Sequence, residues 1–316
     1  MRNLVLYGGG PLLMAIREFV VNCGFDVTTI TSKRYNQSVE KNCLTELDQD
    51  RKYFVAESIS EVCEIVKKYG LEESFHLSLG APWLFNQEFF ESIESKIYNI
   101  HGTGLPRFRG AASFSWQILS GSRIGSCTMH EIDSGIDTGD IVYDELFVYP
   151  KFCITPSDFM EFYHKKVFKT FSKIIPDILN SSFEFIPKAQ SNYVSSSWPR
   201  LITDKNGAIN WDYNINELVR FIRAFDSPYP GAFSQLNKTT VRFKDVDFDL
   251  SLAGFHSFQF GQIYNIHSDI VFVAVNGGTL LLSKRQVESQ GVKIKLGDRF
   301  STPIDLLTVS KQRFRV

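Results

Sequence analysis

The chain has 316 residues, 43% of them hydrophobic and 22% charged, enough for a catalytic domain and a smaller second one in an ordinary soluble globular protein. Net charge is −1, and residues 201–316 carry 14 Lys and Arg against 11 Asp and Glu, so neither part has the strongly basic face of a protein held to nucleic acid by phosphate contacts. Five well-spread cysteines without a CxxC pair exclude a disulfide frame and a zinc-thiolate site, and no apolar run nears the ~20 residues that cross a bilayer.

The opening MRNLVLYGGG is too short in apolar length and too rich in Gly for a secretory signal. It reads as a strand over 4–7, followed by a helix over 11–21 with Pro11 in its first turn. Strands are expected over 27–31, 54–56 and 75–79, with a helix over 59–68. A helix over 87–93 leads into a strand over 97–101, and another helix covers 111–119. Residues 125–131 and 141–148 read as a strand pair around a loop, and 156–179 as a long amphipathic helix capped by Thr155. This alternation predicts an α/β catalytic domain over 1–185, a mostly parallel sheet with helices on both faces. A Ser-, Pro- and Lys-rich stretch predicts a linker over 186–209. Residues 210–316 hold a helix over 216–224, then strands over 240–243, 261–264, 270–274 and 279–282, which predicts a small all-β domain, a barrel being expected.

Tyr7-Gly8-Gly9-Gly10 before a helix invites a dinucleotide reading, but Leu13 stands where a third Gly is needed. No acid follows the second strand at Thr31-Ser32 to take a ribose. A tight turn is favoured, with a phosphate or diphosphate on the helix-start amides of Gly9 and Gly10 left open. More informative is Asn99-Ile100-His101-Gly102-Thr103-Gly104-Leu105-Pro106-Arg107-Phe108-Arg109-Gly110. Two apart in extended chain, Asn99 and His101 point to one side, at a strand's carboxyl end where open α/β sheets place ligands. Asp133-Ser134-Gly135-Ile136-Asp137-Thr138-Gly139-Asp140 sets three carboxylates on a Gly-punctuated loop. Its spacing fails the calcium-loop pattern, and no metal site is expected.

Together these pieces resemble the N10-formyltetrahydrofolate-dependent formyltransferase family. Its pattern is an Asn-x-His strand end, a Leu-Pro-x-x-Arg-Gly turn, and an Asp-x-Gly loop about one helix and one strand later. Asn99, His101, Leu105-Pro106, Arg109-Gly110 and Asp137-Thr138-Gly139 match it. Gly207-Ala208-Ile209-Asn210-Trp211 and Pro228-Tyr229-Pro230-Gly231-Ala232-Phe233 are similar to the linker and C-terminal module of methionyl-tRNA formyltransferase and its relatives. Gly102-Thr103-Gly104 departs from the commoner Pro-Ser-Leu or Gly-Ser-Leu after the His.

The resemblance implies a Rossmann-like catalytic domain with an OB-like second one, and Asn99, His101 and Asp137 as catalytic residues. The co-substrate it implies is N10-formyltetrahydrofolate, its pterin resting on Gly80, Ala81, Pro82, Trp83, Leu84 and Phe85. Gly9, Gly10, Gly102, Thr103 and Arg109 are the expected substrate contacts. Asp133 and Asp140 are expected to shape the loop, and His76, His130, His164, His256 and His267 to be structural. Three acceptor readings stay open. First is a nucleotide-linked amino sugar, dTDP- or UDP-linked, formylated for surface polysaccharide. Second is charged initiator tRNA. Third is a folate-binding protein or formyl-folate hydrolase without an acceptor. The first is preferred on charge, with a cytoplasmic chain, a small-molecule partner, no nucleic acid, no membrane insertion and a homodimer as its expected setting.

Overall fold

The computed structural model describes residues 3–35 and 52–314. Strand β1, Leu4–Gly8, is buried along its whole length. It feeds α1, Pro11–Asn22, which starts on Pro as the missing amide requires nothing there. Next come β2 (Val27–Thr31), β3 (Tyr53–Val55) and α2 (Ile59–Lys68), whose Ser58 cap accepts from the Glu61 amide. β4 (Phe75–Leu79), the short α3 (Gln87–Phe90) and β5 (Ile97–His101) follow. The two-residue β6 (Arg109–Gly110) and α4 (Ser113–Ser120) precede β7 (Ile124–Glu131), β8 (Ile141–Val148) and the long α5 (Pro156–Leu179).

Seven strands form one sheet in the order β3-β2-β1-β4-β5-β7-β8, flanked by helices. The first five are parallel, and β7 and β8 run antiparallel. Strand order reverses between β1 and β4, the switch point beyond whose carboxyl ends open α/β sheets take ligands. Val5, Tyr7, Ile30, Val62, Val66, Phe89 and Ile97 form a core on one face. Within it the Tyr7 hydroxyl donates to His76 Nδ1 at 2.7 Å, which leaves Nε2–H of a neutral ring for the Glu72 carbonyl at 3.4 Å. Burial pushes His76 down to about 4.

Two compact units emerge: residues 3–35, 52–109, 124–148 and 162–197, and residues 110–123, 149–161 and 198–314. In the second, after β9 (Ser197–Trp198), α6 (Thr203–Asn206) and α7 (Ile215–Ala224), the strands are all antiparallel. β10 (Ala232–Leu236) and β11 (Thr239–Phe243) make a hairpin. β12 (Asp247–Asp249), β15 (Gly278–Ser283), β14 (Ile270–Val275) and β13 (Ile263–His267) make a four-stranded sheet in that spatial order. Trp211 anchors its core, stacked on Phe300 at 5.7 Å, with its indole N–H donated to Ser234 Oγ at 2.9 Å.

The expected elements fall in place with four adjustments. The strand expected over 261–264 runs Ile263–His267. The helix expected over 87–93 stops at Phe90, where Ser92 Oγ turns back onto the Phe89 carbonyl. The helix expected from 111 starts at Ser113, because Ala112 is left-handed at φ 56°. The stretch 186–209 expected as a linker is tied down. Lys188 exchanges backbone bonds with Ile141, and the Ser196 carbonyl accepts the Arg109 amide. Residues 186–197 belong to the first unit and 198–209 to the second.

Candidate active site

Parallel register sets the site. Gly8 pairs with Leu79 and Asn99 with Ser78, so the turn after β1, the loop after β4 and the end of β5 share one edge of the sheet. Gly8 is required there: at φ +124° a Cβ would stand 2.2 Å from the Leu79 carbonyl oxygen. Tyr35 lies over Gly9 and donates its hydroxyl to the Gly80 carbonyl at 2.6 Å, joining the two loops. Beyond it the chain alternates. Ala81, Trp83 and Phe85 pack on the core, while Pro82 and Leu84 face out, Leu84 being 75% exposed. Trp83 is thus core, and what 80–85 offers a flat ring is backbone plus two apolar side chains.

Asn99, His101 and Asp137 come together. The Asn99 amide nitrogen lies 3.2 Å from His130 Nε2. Asp137 Oδ1 lies 3.6 Å from His101 Nδ1 and 3.5 Å from His130 Nε2. Expected to be structural, His130 instead stands at the centre. Antiparallel pairing of β5 with β7 sets it directly opposite Asn99, a relation that no local spacing encodes. Its Nδ1 sits 2.6 Å from the Glu131 carbonyl and His101 Nε2 sits 3.2 Å from the Phe108 carbonyl. A carbonyl only accepts, so in the neutral rings the lone pair lies on His101 Nδ1, beside Asp137, and on His130 Nε2, where it takes the Asn99 N–H. Burial pushes the His101 pKa down, against the raising effect of Asp137, which favours a neutral ring. The three donor atoms lie within 4.8 Å of one another, a grouping absent from the sequence reading, which expected no metal-ligating cluster.

Asp137 sits at φ 54° in a loop braced from two sides. Asp133 accepts the Gly135 amide at 3.0 Å and the Thr138 hydroxyl at 2.6 Å, shaping the loop as expected. Gln190, unmarked in the sequence, donates to the carbonyls of Asp137 at 3.0 Å and Gly139 at 2.6 Å. Arg109 then donates through Nε to Gln190 Oε1 at 3.0 Å and through Nη1 to Asn192 at 3.4 Å. At 5% exposure Arg109 braces this loop, and the geometry gives it no open face for a substrate. Thr103 is fully buried, its hydroxyl on the Phe108 carbonyl at 3.3 Å, and so steadies the acceptor that orients His101. Gly10, with its amide at the start of α1, and Gly102 remain partly exposed.

Two family models match this chain: "Formyl transferase" over residues 81–179 and "Formyl transferase, C-terminal domain" over residues 201–295. The chain belongs to the formyl transferase family. It is an enzyme of that family, an N-formyltransferase. A methionyl-tRNA formyltransferase from Rickettsia bellii (strain RML369-C) is 29% identical over 213 residues, 66% of this chain and 65% of that one. A sugar 3N-formyl transferase, WlaRD, solved with dTDP and 5-N-formyl-THF, has a TM-score of 0.67 at 20% identity, covering 90% of this chain and 97% of that one. The N-formyltransferase from Helicobacter canadensis, in complex with folinic acid and dTDP-3-aminofucose, has a TM-score of 0.66 at 20% identity, over 90% and 99%. At that identity the likeness is one of fold.

Proposed function

We propose that this formyltransferase moves a formyl group from N10-formyltetrahydrofolate to the amine of a nucleotide-linked amino sugar, dTDP- or UDP-linked. The observation that carries the chemistry is the convergence of Asn99, His101, His130 and Asp137 at the carboxyl end of β5. A neutral amine attacks the formyl carbon, and negative charge gathers on the formyl oxygen. One N–H of the Asn99 amide is directed at His130; the other serves that oxygen, a donor worth about 3 kcal/mol of barrier. As the C–N bond forms, the amine sheds a proton to Asp137, beside which His101 Nδ1 presents a lone pair while His130 Nε2 takes the Asn99 N–H. The folate nitrogen leaves when it regains a proton, which the same cluster returns. Residues 80–85 carry the pterin against backbone, and Gly10 and Gly102 leave room for the nucleotide portion, Gly9 lying under the Tyr35 ring.

Two considerations favour a sugar acceptor. The modest charge of residues 201–316 is poor for binding a tRNA through its phosphates. The fold likeness extends over nine-tenths of this chain to proteins solved with dTDP or a dTDP-sugar. Names of the sequence relatives favour charged initiator tRNA as the second reading. Among the described residues no helix is long and apolar enough to cross a membrane, and a cytoplasmic role in supplying formylated sugars for surface polysaccharide goes with the first reading. Incubating the chain with the donor and a panel of dTDP- and UDP-amino sugars, beside Met-tRNA, tests it. Product on a sugar and none on the tRNA is expected; efficient tRNA formylation with no sugar accepted overturns it.

A further inference from the structure

Among the described residues, His101, His130 and Asp137 alone bring three metal-capable groups together. Two imidazole nitrogens and a carboxylate oxygen are a donor set that suits Zn²⁺ and similar borderline cations. The distances suit one too. With bonds of about 2.0–2.1 Å, ligand atoms around a tetrahedral ion stand about 3.3–3.4 Å apart. The carboxylate oxygen here is 3.6 Å and 3.5 Å from the two ring nitrogens, within tenths of an ångström of that span, and all three donors lie within 4.8 Å of one another, so an ion seats with the two rings closing toward each other. Both rings are already oriented as metal-bound histidines are. Each commits its far N–H to a backbone carbonyl, Phe108 for His101 and Glu131 for His130, which fixes the tautomer and aims the lone pair inward. The side chains are 8%, 2% and 16% exposed, so the donors are shielded from bulk water.

We infer that this cluster is an inhibitory divalent-cation site, taking Zn²⁺ or a similar ion on His101 Nδ1, His130 Nε2 and Asp137 Oδ1. The binding rests on the geometry alone; its inhibitory consequence rests on the formyl-transfer reading. An ion there occupies the lone pairs that would receive the amine's proton. It also displaces the Asn99 amide, now 3.2 Å from His130 Nε2, and with it the donor meant for the formyl oxygen. No bond of substrate is made or broken by the ion. Metal availability thereby sets the active fraction of the enzyme.

Titrating the chelator-stripped, reduced full chain with Co²⁺ and reading its visible spectrum tests the binding directly. One equivalent of four-coordinate Co²⁺ without a thiolate charge-transfer band is expected, displaced by Zn²⁺. His130→Asn and Asp137→Asn, each checked for native circular dichroism, should weaken it at least ~100-fold. Cys23→Ser, altering an exposed thiol, should leave it unchanged. Absent binding, or binding unchanged in both folded cluster variants, overturns the site. In parallel, Zn²⁺ should block formyl transfer reversibly, with activity restored by chelator. A chain that binds Co²⁺ at the cluster but transfers no formyl group refutes the catalytic reading and supports the site. A chain that transfers formyl and binds no Co²⁺ does the reverse.

Discussion

Gly139→Ala is a single-methyl change that separates loop position from side-chain chemistry. A Cβ on Gly139 would stand 2.1 Å from the Glu131 carbonyl oxygen and 2.8 Å from its carbon, where real contacts stay beyond 3.0 Å. The obstacle is backbone within the sheet, so the loop must retreat by about 0.9 Å, the difference between the closest tolerated contact and the one imposed. That carbonyl also receives His130 Nδ1, and Asp137 lies two residues before Gly139, so one added methyl disturbs both the ring and the carboxylate that faces it. A displacement near 1 Å at a reacting centre costs about 100-fold in turnover. Overpacking costs about 1–3 kcal/mol of stability, which leaves a folded protein. Steady-state turnover beside a urea unfolding curve measures both. A folded Gly139→Ala with near-normal turnover would refute the claim that loop placement governs the site.

Stability should fall in acid because of His76. Its folded pKa, about 4, lies below the ordinary 6.5, so the contribution is intact above pH 6.5 and is lost as pH falls toward 4. The full loss is about 3 kcal/mol, and urea midpoints across that range should show it, flattened in His76→Gln. Gln190→Ala removes two bonds to the Asp137 loop and unpairs buried Arg109 Nε. It should cost about 1–3 kcal/mol of stability and lower turnover about tenfold, measured by thermal denaturation and initial rates; unchanged turnover would mean the brace is not needed.

Much of this was legible because short-range periodicity carries it. Leu4, Val5, Leu6 and Tyr7 form an apolar run and are all buried, as a central parallel strand demands. Asn99 and His101 alternate along β5, so their shared direction follows from strand geometry. His130 was invisible for the opposite reason: its partner Asn99 is 31 residues away, and only strand pairing joins them. Gln190 and Arg109 meet across 81 residues, so the composition of 186–209, which announces exposed backbone, says nothing about docking. Ala112 shows the local limit. Nothing in Gly-Ala-Ala-Ser marks a left-handed residue before a helix, and the helix starts two residues later than the sequence predicts. Trp83 beside Leu84 shows the converse, since alternation alone decides which of two large apolar side chains faces the core.

The central claim is that formyl transfer runs through Asn99, His101 and Asp137. The most direct measurement is single-turnover transfer of a labelled formyl group from N10-formyltetrahydrofolate to acceptor amine by the wild-type chain, Asn99→Ala, His101→Ala and Asp137→Asn, with donor affinity measured in each. The account predicts at least ~100-fold slower transfer in every variant with donor binding retained. A folded His101→Ala or Asp137→Asn that transfers formyl at the wild-type rate would contradict it.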